Sequence, residues 1–321
     1  MMRFRTTGFN GYAVQYSPFF ENRLACASAS NFGIVGNGRL WVLGIGAGPE
    51  GIECEKVYDT QDGLYDLAWS EVHENQLVTS SGDGSIKLWD VTLPDFPIRN
   101  WAEHTREVFT VNWNLVDKST FVTGSWDNTI KLWSPETPHS LATYTEHTHC
   151  IYQTHFSPHT PTTLASVSGD QTLKLWDTRS PHKSTHTIHA HNAEILALDW
   201  NKYIPNTLVT GSVDRCCKVW DLRFMDREII LLQGHEYAVR NAKWSPHHAN
   251  VLASVGYDMT MRVWDTDRAK GGRDPARGCV WVHEGHTEFV VGVDWSMWGK
   301  GVVATCAWDE WVNVVGVPGI A

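Results

Sequence analysis

One short pattern, a glycine-rich turn and an apolar strand that ends in Trp-Asp, returns along this chain at a nearly constant interval. The 321-residue sequence has it as SGDGSIKLWD (81–90) and repeats it as GSWDNTIKLWS, VSGDQTLKLWD, GSVDRCCKVWD and VGYDMTMRVWD. The tryptophans of this position, which lie 44, 43, 44 and 44 residues apart, are Trp89, Trp133, Trp176, Trp220 and Trp264. A period near 44 residues is the length of one four-stranded propeller blade. The repeat therefore predicts an all-β chain made of such blades.

The spacing inside the repeats predicts a hydrogen-bonded network in each blade. In five places a histidine precedes the turn aspartate by 23 residues, and a serine or threonine precedes that aspartate by four. Aspartate in a tight turn accepts hydrogen bonds and tolerates left-handed geometry, and a buried histidine needs partners for both ring nitrogens. We therefore assign these residues a structural role. The predicted network residues are His104, Thr123, Asp127 and Trp133; His147, Ser166, Asp170 and Trp176; His191, Thr210, Asp214 and Trp220; His235, Ser254, Asp258 and Trp264; and, without the tryptophan, His286, Thr305 and Asp309.

These motifs resemble the WD-repeat family of β-propellers, and two weaker copies complete the set. NFGIVGNGRLWVLG (31–44) keeps the turn and the strand, and CAWDEWVNVVGV (306–317) keeps the turn aspartate. We therefore expect one seven-bladed WD-repeat propeller that spans residues 1–321. Almost no chain remains after Val317 to form an outer strand for the last blade, so we expect residues 3–7 to supply that strand.

Composition disfavours several kinds of partner. The formal net charge of −10 at pH 7 argues against nucleic acid, because proteins that neutralise phosphates carry an excess of Lys and Arg. The seven cysteines are scattered without a C-x-x-C spacing, which is typical of reduced thiols inside the cell. No apolar run is long enough to span a bilayer, so we expect no direct membrane insertion.

The sequence contains one tempting histidine cluster but no catalytic motif. The stretch HKSTHTIHAH holds His182, His186, His189 and His191. The spacing assigns His191 to the network, and the other three fall in an outer strand or loop, where successive side chains alternate between faces. No nucleophile–base signature or phosphate loop is visible. We therefore expect a protein that is not an enzyme and that uses no cofactor and no metal.

The positions that vary between repeats indicate where a partner binds, because the repeated positions build the scaffold. Large aromatic residues precede several turn aspartates, and aromatic and acidic residues stand near the start of the innermost strands. Such a face suits an amphipathic segment with apolar anchors and a positive charge. The alternative is that the aromatic residues cap the channel and the acids are only solvated. The predicted binding residues are Tyr65, Asp66, Glu107, Phe109, Trp126, Tyr152, Glu194, Tyr257, Glu288 and Trp308, with Arg240 and Phe289 beside them.

A narrower resemblance suggests the partner. NGYAVQYSPFFENRLACASASNFGIVGNG (10–38), DGLYDLAWSEVHENQLVTSSGDGSIKLWD (62–90), HTREVFTVNWN (104–114), HNAEILALDW (191–200) and HTEFVVGVDWS (286–296) are similar to the receptor for the type-2 peroxisomal targeting signal. The resemblance implies an N-terminal cargo segment of the form Arg-Leu-x5-His-Leu as ligand. It also implies three groups of partners: cargo proteins such as peroxisomal thiolase, an import co-receptor (a long type-1 signal receptor or a fungal co-receptor), and docking proteins of the peroxisomal membrane. The implied location is the cytoplasm, with cycling to the peroxisome.

On that resemblance we expect Glu107, Glu194 and Asp66 to meet the cationic end of the segment, and the aromatic residues to hold its apolar side. The insertion at 267–278 departs from the compact repeats and is either a solvated loop or a partner contact. A second interpretation remains open. WDTR (176–179) and WDLR (220–223) match the W-D-x-R signature of substrate receptors in cullin ubiquitin ligases, where Arg179 and Arg223 would contact an adaptor.

Overall fold

Seven four-stranded antiparallel sheets follow one another around a central channel in the computed structural model, which describes residues 1–46, 51–270 and 274–320. Each sheet is one blade. The innermost strand of every blade contacts the innermost strands of both neighbours, which closes the ring. This arrangement confirms the predicted all-β, seven-bladed propeller. Within the described part of the chain, no helix is long and apolar enough to cross a membrane.

The innermost strands surround the channel, and each ends in an aromatic residue that is buried at the interface with a neighbouring blade. With strands numbered along the chain, they are β2 (Asn10–Tyr16), β6 (Leu64–Trp69), β10 (Val108–Trp113), β14 (Ile151–Phe156), β18 (Ile195–Trp200), β22 (Val239–Trp244) and β26 (Val290–Trp295). These terminal rings fix the spacing between blades, because several indoles also donate to the preceding blade. Trp69 Nε1 donates to the Gln15 carbonyl at 3.2 Å, and Trp200 Nε1 donates to the His155 carbonyl at 3.1 Å.

The second strands are the most deeply buried because they have a paired strand on each side and a neighbouring blade on each face. They are β3 (Arg23–Ala29), β7 (Gln76–Ser81), β11 (Phe121–Ser125), β15 (Thr163–Ser168), β19 (Thr207–Ser212), β23 (Val251–Gly256) and β27 (Val302–Ala307). Their near-continuous run of small and branched residues is the pattern expected of strands with no solvated face.

The third strands carry the repeated apolar pattern that defines the repeat in the sequence. They are β4 (Gly38–Ile45), β8 (Ile86–Asp90), β12 (Ile130–Trp133), β16 (Thr172–Asp177), β20 (Cys216–Asp221), β24 (Met261–Asp265) and β28 (Trp311–Gly316). The outermost strands are β5 (Ile52–Thr60), β9 (Arg99–Trp101), β13 (Ala142–Tyr144), β17 (His186–His189), β21 (Ile230–Gln233), β25 (Cys279–His283) and β1 (Met2–Arg5). Most of the outermost strands are short, which limits the exposed sheet edge.

The last blade combines the two ends of the described chain. Strand β1 pairs antiparallel with β28, with Met2 opposite Val314 and Phe4 opposite Val312. The ring of Phe4 packs on Trp41 of the first blade, with 5.6 Å between the ring centroids. Strand β1 is therefore both the outer strand of the last blade and part of its contact with the first blade.

The hydrophobic core lies between blades rather than in one central mass. One cluster joins the first and second blades through Leu40, Tyr58, Leu64 and Trp89. Another joins the last and first blades, where buried residues of β27 and β28 meet those of β3 and β4. Every blade is thus stabilised by its neighbours, so the stability of the ring depends on its closure.

The network predicted from the spacing is formed with short hydrogen bonds in the described blades. His104 Nδ1 lies 2.8 Å from the Asp127 carboxylate, and its Nε2 lies 2.9 Å from the Thr123 hydroxyl. Trp133 Nε1 donates to the same hydroxyl at 2.8 Å. The blades of His147, His191 and His235 repeat this geometry with distances between 2.7 and 2.9 Å.

The last blade replaces the network tryptophan with an amide. His286 contacts Asp309 at 3.0 Å and Thr305 at 2.8 Å, and Asn313 Nδ2 lies 3.1 Å from His286 Nε2. The second blade has a tryptophan but no histidine, and there Trp89 Nε1 donates to Thr79 at 2.9 Å. Blades that lack the full network therefore keep the threonine hydroxyl and one ring that bonds to it, a histidine in the last blade and a tryptophan in the second.

The left-handed backbone position in each turn is the residue after the aspartate, not the aspartate itself. Asn128, Gln171, Arg215 and Met259 have φ values of 67°, 68°, 69° and 63°. The aspartate instead accepts backbone bonds: Asp127 accepts from Thr129 N at 2.9 Å and from Thr105 N at 3.1 Å. These bonds hold the turn closed and so support the strained residue that follows.

The insertion predicted at 267–278 is described in part, since residues 271–273 lie outside the described residues. It begins with a short helix, α1 (Thr266–Ala269), whose first turn is capped by the Asp265 carboxylate. A 3-10 turn (Pro275–Gly278) follows and is capped by Asp274. A contact between this insertion and a partner stays a prediction.

Candidate functional site

A β-bulge occurs at the same place in all seven innermost strands, and it decides which side chains face the end of the channel. In each case the register shifts by one residue near the start of the strand. The bulged residues are Tyr12, Tyr65, Phe109, Tyr152, Leu196, Arg240 and Val291. Bulges often re-aim side chains beside functional sites. All seven line one cavity of about 490 Å³, which we call the mouth cavity.

Residues from the turns between the second and third strands complete the wall of the mouth cavity. Trp126, Val213, Tyr257 and Trp308 occupy the position before the turn aspartate in four blades. The backbone N–H of each of these residues donates to a carbonyl just before or at the start of the innermost strand of its blade. For example, Trp126 N donates to the Glu107 carbonyl at 2.9 Å. The repeat therefore brings one variable residue from the inner strand and one from the turn to the same cavity.

Aromatic residues in and beside the mouth cavity touch one another in an unbroken arc. Trp126 stacks on Phe109 with 5.0 Å between centroids, and Phe109 lies 4.8 Å from Tyr65. The arc continues from Tyr65 to Tyr12 at 5.1 Å and from Tyr12 to Trp308 at 5.7 Å. It ends with Phe289, 5.3 Å from Trp308, and Tyr257, 4.7 Å from Phe289. Such an arc can hold leucine-sized anchors against rigid, apolar rings.

Carboxylates interrupt the aromatic wall. Glu194 accepts a hydrogen bond from the Tyr152 hydroxyl at 2.8 Å. Glu107 lies at the rim in a loose ion pair with Arg106 at 3.5 Å. Burial raises the pKa of Tyr65 to about 12, and the negative charges of Asp62 and Glu107 add to this. The mouth cavity therefore combines apolar surface with negative potential.

One cation shares this cavity. Arg240 is buried, and its guanidinium carbon lies 5.1 Å from the centroid of the Phe109 ring. Since Arg240 belongs to the sixth blade and Phe109 to the third, the side chain reaches across the mouth of the channel.

Eight of the ten predicted binding residues line the mouth cavity, and two do not. The eight are Tyr65, Glu107, Phe109, Trp126, Tyr152, Glu194, Tyr257 and Trp308. Glu288 is exposed and lies outside the residues that line the cavity.

The structure also corrects the placement of Asp66, which lies one residue past the bulge and one level deeper in the channel. Its carboxylate accepts hydrogen bonds from Leu67 N and Val111 N, each at 2.9 Å. The second of these bonds crosses to the next blade.

Asp66 belongs to a set of channel side chains that join neighbouring blades. Each of these residues accepts a hydrogen bond from a backbone N–H of the following innermost strand, and they are Gln15, Asp66, Asn112, Gln153, Asp199 and Asp294. Burial raises the pKa of Asp294 to about 6 and also raises that of Asp66. The polar side chains of the channel therefore hold neighbouring blades together. Asp66 is one of them, and it does not line the mouth cavity.

The sequence reasoning missed several residues that line the mouth cavity, namely Tyr12, Phe32, Gly33, Ile34, Leu196 and Val291. Tyr12 is the bulged residue of the first blade, and the alignment of its strand with the later repeats could have revealed it. Phe32 and Ile34 come from the degenerate first repeat, whose loop is pinned over the cavity: Tyr12 Oη donates to the Phe32 carbonyl at 2.6 Å, and Tyr65 Oη donates to the Gly33 carbonyl at 2.9 Å. Asp62 lies beside Tyr65 as well, but no repeat pattern marks it.

The other sequence candidates lie away from the mouth cavity. His186 and His189 are on the outermost strand β17, while His191 is in the network. Among the residues that the structure describes, no group of three His, Cys, Asp or Glu side chains is placed to hold a metal ion. Arg179 and Arg223 are exposed, and each guanidinium reaches back to the Asp of its own Trp-Asp pair at 2.6 Å. Neither arginine is among the residues that line the mouth cavity.

Comparison with known families matches the repeat directly. The family described as "WD domain, G-beta repeat" matches residues 52–90, 96–134, 138–177, 182–221 and 227–265, together more than half of the chain. The chain belongs to the WD40 family. Each matched WD40 unit contains the outermost strand of one blade and the three inner strands of the next. Because each unit spans two blades, the chain itself connects neighbouring blades. Strand β1 makes the corresponding connection between the first and last blades.

The printed names of several similar proteins refer to peroxisomes. The chain is 54% identical over 110 residues to a "Peroxisomal targeting signal 2 receptor" of Komagataella phaffii, and 53% identical over 112 residues to a protein of that name from Saccharomyces cerevisiae. It is 51% identical over 106 residues to "Peroxisome biogenesis protein 7" of Arabidopsis thaliana. The matches span 34%, 35% and 32% of this chain and 29%, 30% and 33% of the respective relatives. Only about a third of each relative's length is therefore matched.

Proposed function

We propose that this protein is a receptor for the N-terminal type-2 peroxisomal targeting signal and that it delivers signal-bearing cargo for import into the peroxisome. The observation that carries the proposal is the mouth cavity, where the bulged residues and the adjoining turns present aromatic side chains beside the carboxylates of Glu107 and Glu194. The printed names of the relatives support the same role. The function is binding and delivery, not catalysis.

The proposed ligand, Arg-Leu-x5-His-Leu, matches the cavity as an amphipathic helix. Its two residue pairs are seven positions apart, close to two helical turns, so they lie on one helix face. That face presents one cation and two leucines about 10 Å apart. A groove that binds a helix by such anchors needs apolar pockets and a complementary charge.

The two halves of the ligand face have separate counterparts in the cavity. Glu107 and Glu194, with Asp62 nearby, supply negative charge for the arginine. The aromatic arc from Trp126 to Tyr257 supplies the surface for the leucines. We assign the cationic end to the carboxylates because a desolvated arginine requires acceptors.

The remaining partners follow from the same proposal. A helix seated on the mouth cavity keeps one side open to solvent, and we assign that side to an import co-receptor, either a long type-1 signal receptor or a fungal co-receptor. Docking proteins of the peroxisomal membrane would then receive the complex. The protein would cycle between the cytoplasm and the peroxisome.

The direct test is a titration of a fluorescently labelled signal peptide with the full chain, followed by anisotropy, with and without a co-receptor fragment. We expect saturable binding that is lost when the peptide arginine is changed to Asp and when both leucines are changed to Arg. Equal binding of the three peptides would reject signal recognition. Failure of the wild-type peptide to bind even with the co-receptor would reject the receptor role itself.

A further inference from the structure

Arg240 is the one bulged residue of the mouth cavity whose presence the fold does not explain. It is 6% exposed, and its described contact is the face of Phe109, 5.1 Å away. Among the described residues, no acceptor forms a hydrogen bond or ion pair with its guanidinium. The two glutamates of the cavity are otherwise engaged, Glu107 with Arg106 and Glu194 with Tyr152.

The Arg240 guanidinium is partly desolvated, although its nitrogens are not among the fully buried polar atoms and so keep contact with solvent in the mouth cavity. It has five N–H donors and no means of losing its charge, and partial desolvation of a charge without a protein acceptor lowers stability. A cation–π contact offsets only part of that cost. The folded protein without ligand would therefore be more stable with an apolar residue at this position.

Neighbouring blades show that an apolar residue fits this position. The bulged residue of the fifth blade is Leu196 and that of the seventh blade is Val291, and both line the same cavity. Since the bulge forms equally well around leucine and valine, the backbone does not require arginine in the sixth blade. The charge is better explained by a ligand than by the scaffold.

We propose that Arg240 is a specificity-determining residue. Its guanidinium donates hydrogen bonds to an acceptor on the bound helix and disfavours a positive charge at the contacting position of that helix. This inference rests on the proposed receptor function and deepens it. The Arg240 side chain lines the cavity and reaches the ring of Phe109, so a ligand seated on the aromatic residues would contact it. A ligand acceptor would supply the partner that the free protein lacks.

Two parts of a helix could supply that acceptor. One is a side chain with a lone pair and no positive charge, such as a carboxylate, an amide or a neutral imidazole. The other is the last turn of the helix, whose carbonyls have no partner within the helix. Both satisfy a guanidinium, but only a side-chain acceptor is lost when that residue is changed to lysine.

The test is a charge scan of the signal peptide. Each x position and the histidine are changed singly to Glu, Gln and Lys, and dissociation constants are measured by anisotropy against wild type, Arg240→Met and Arg240→Glu. Arg179→Met, which removes an exposed and paired guanidinium, is the matched control. A second series replaces the amides of the last helical turn with esters, which weakens the carbonyl acceptors.

We expect one position at which Lys weakens binding to wild type by about tenfold or more while Glu and Gln do not. Arg240→Met should weaken the unmodified peptide and remove that preference, and Arg240→Glu should invert it. Sensitivity confined to the ester series would identify the backbone as the acceptor. Identical dissociation constants for wild type and Arg240→Met with every peptide would overturn the inference, and a wild-type protein that binds no signal peptide would overturn the receptor function together with it.

Thermal unfolding of the same variants separates a ligand contact from a structural one. Because Arg240→Met removes a partly desolvated charge that has no protein acceptor, its melting temperature should equal or exceed that of wild type. A clear drop in melting temperature with unchanged peptide binding would make Arg240 a structural residue and contradict the inference.

Discussion

Single hydroxyl groups organise the interior of each blade. Thr123 accepts a hydrogen bond from the Trp133 indole, and its own proton is directed to His104 Nε2, which leaves His104 Nδ1–H to donate to Asp127. The pKa of Asp127 shows the strength of this connection. Burial alone would raise it, but the bonds from His104, Thr129 and Thr105 hold it well below its usual range. The turn, the third strand and the loop before the blade are thus joined through one oxygen atom.

We expect Thr123→Val to lower the free energy of unfolding by about 2–3 kcal/mol, because it keeps the side-chain shape and leaves the indole N–H and the imidazole without their partner. Urea unfolding followed by tryptophan fluorescence measures the change. Ser119→Ala, at an exposed loop position, should differ from wild type by no more than about 0.5 kcal/mol. A Thr123→Val protein as stable as this control would contradict the role given to the hydroxyl.

The channel contains a histidine that should make stability depend on pH. Burial and the positive charge of Lys243 lower the pKa of His155 to about 4, although Asp199, 3.5 Å from His155 Nδ1, opposes this. The unfolded chain takes up a proton near pH 6.5, before the folded protein does, so the histidine lowers stability progressively as the pH falls from about 6.5 to 4. Above pH 6.5 it contributes no pH dependence.

We therefore expect His155→Gln to gain stability relative to wild type as the pH falls through that window. The difference in unfolding free energy between the two proteins should grow by on the order of 2 kcal/mol from pH 7 to pH 4. The exposed His182→Gln should parallel wild type over the same range. A difference between wild type and His155→Gln that is constant with pH would show that the histidine is protonated at its ordinary pH in the folded protein.

The predictability of individual residues depended on whether repetition marked them. The network residues were predictable because the same spacing recurs in five places, so each copy supported the others. Tyr65 and Asp66 are adjacent, and the sequence suggested that both face the partner. Because of a one-residue bulge, Tyr65 faces the mouth cavity while Asp66 joins two blades. The position of a bulge is not visible in the sequence pattern. Spacing along a strand does not give distance from the channel either, so Glu288 lies outside the cavity lining and its contact with a partner stays a prediction.

At the scale of elements, strand β1 closes the ring. Its register with β28 pairs a strand from the start of the described chain with one near its end, and Thr6 N extends the pairing by donating to the Glu310 carbonyl at 2.8 Å. The sequence suggested such a strand because the last repeat has almost no chain left for an outer strand. The mouth loop of the first blade was less accessible to prediction, since its left-handed residues Asn31 and Phe32 belong to a degenerate repeat.

Deletion of residues 1–8 should lower the melting temperature by roughly ten degrees, because it removes a sheet edge and the buried contact of Phe4 with Trp41. Differential scanning calorimetry gives the comparison. A chain that lacks only Met1, which is exposed and lies outside β1, is the control and should melt with wild type. Coincident melting of the eight-residue deletion and wild type would show that β1 does not hold the ring closed.

At the scale of the whole molecule, seven near-identical blades produce an asymmetric mouth. The scaffold positions repeat, while the bulged residue and the turn residue change from blade to blade. Aromatic residues form an arc on the first, second, third, sixth and seventh blades, and carboxylates and one buried arginine lie beside it in the same cavity. A ligand that carries both charge and apolar anchors can therefore bind in only one orientation.

The measurement that tests this account most directly is a charge exchange between receptor and signal. Dissociation constants are measured for wild type and Glu107→Lys, each with the native signal peptide and with a peptide whose arginine is changed to Glu. Glu136→Lys, which changes an exposed carboxylate outside the mouth cavity and outside the predicted binding residues, is the matched control. We predict that each single reversal weakens binding by about tenfold or more, that the double reversal recovers much of the loss, and that the control binds like wild type. Losses that simply add in the double reversal would contradict the claim that the acidic part of the mouth cavity reads the signal.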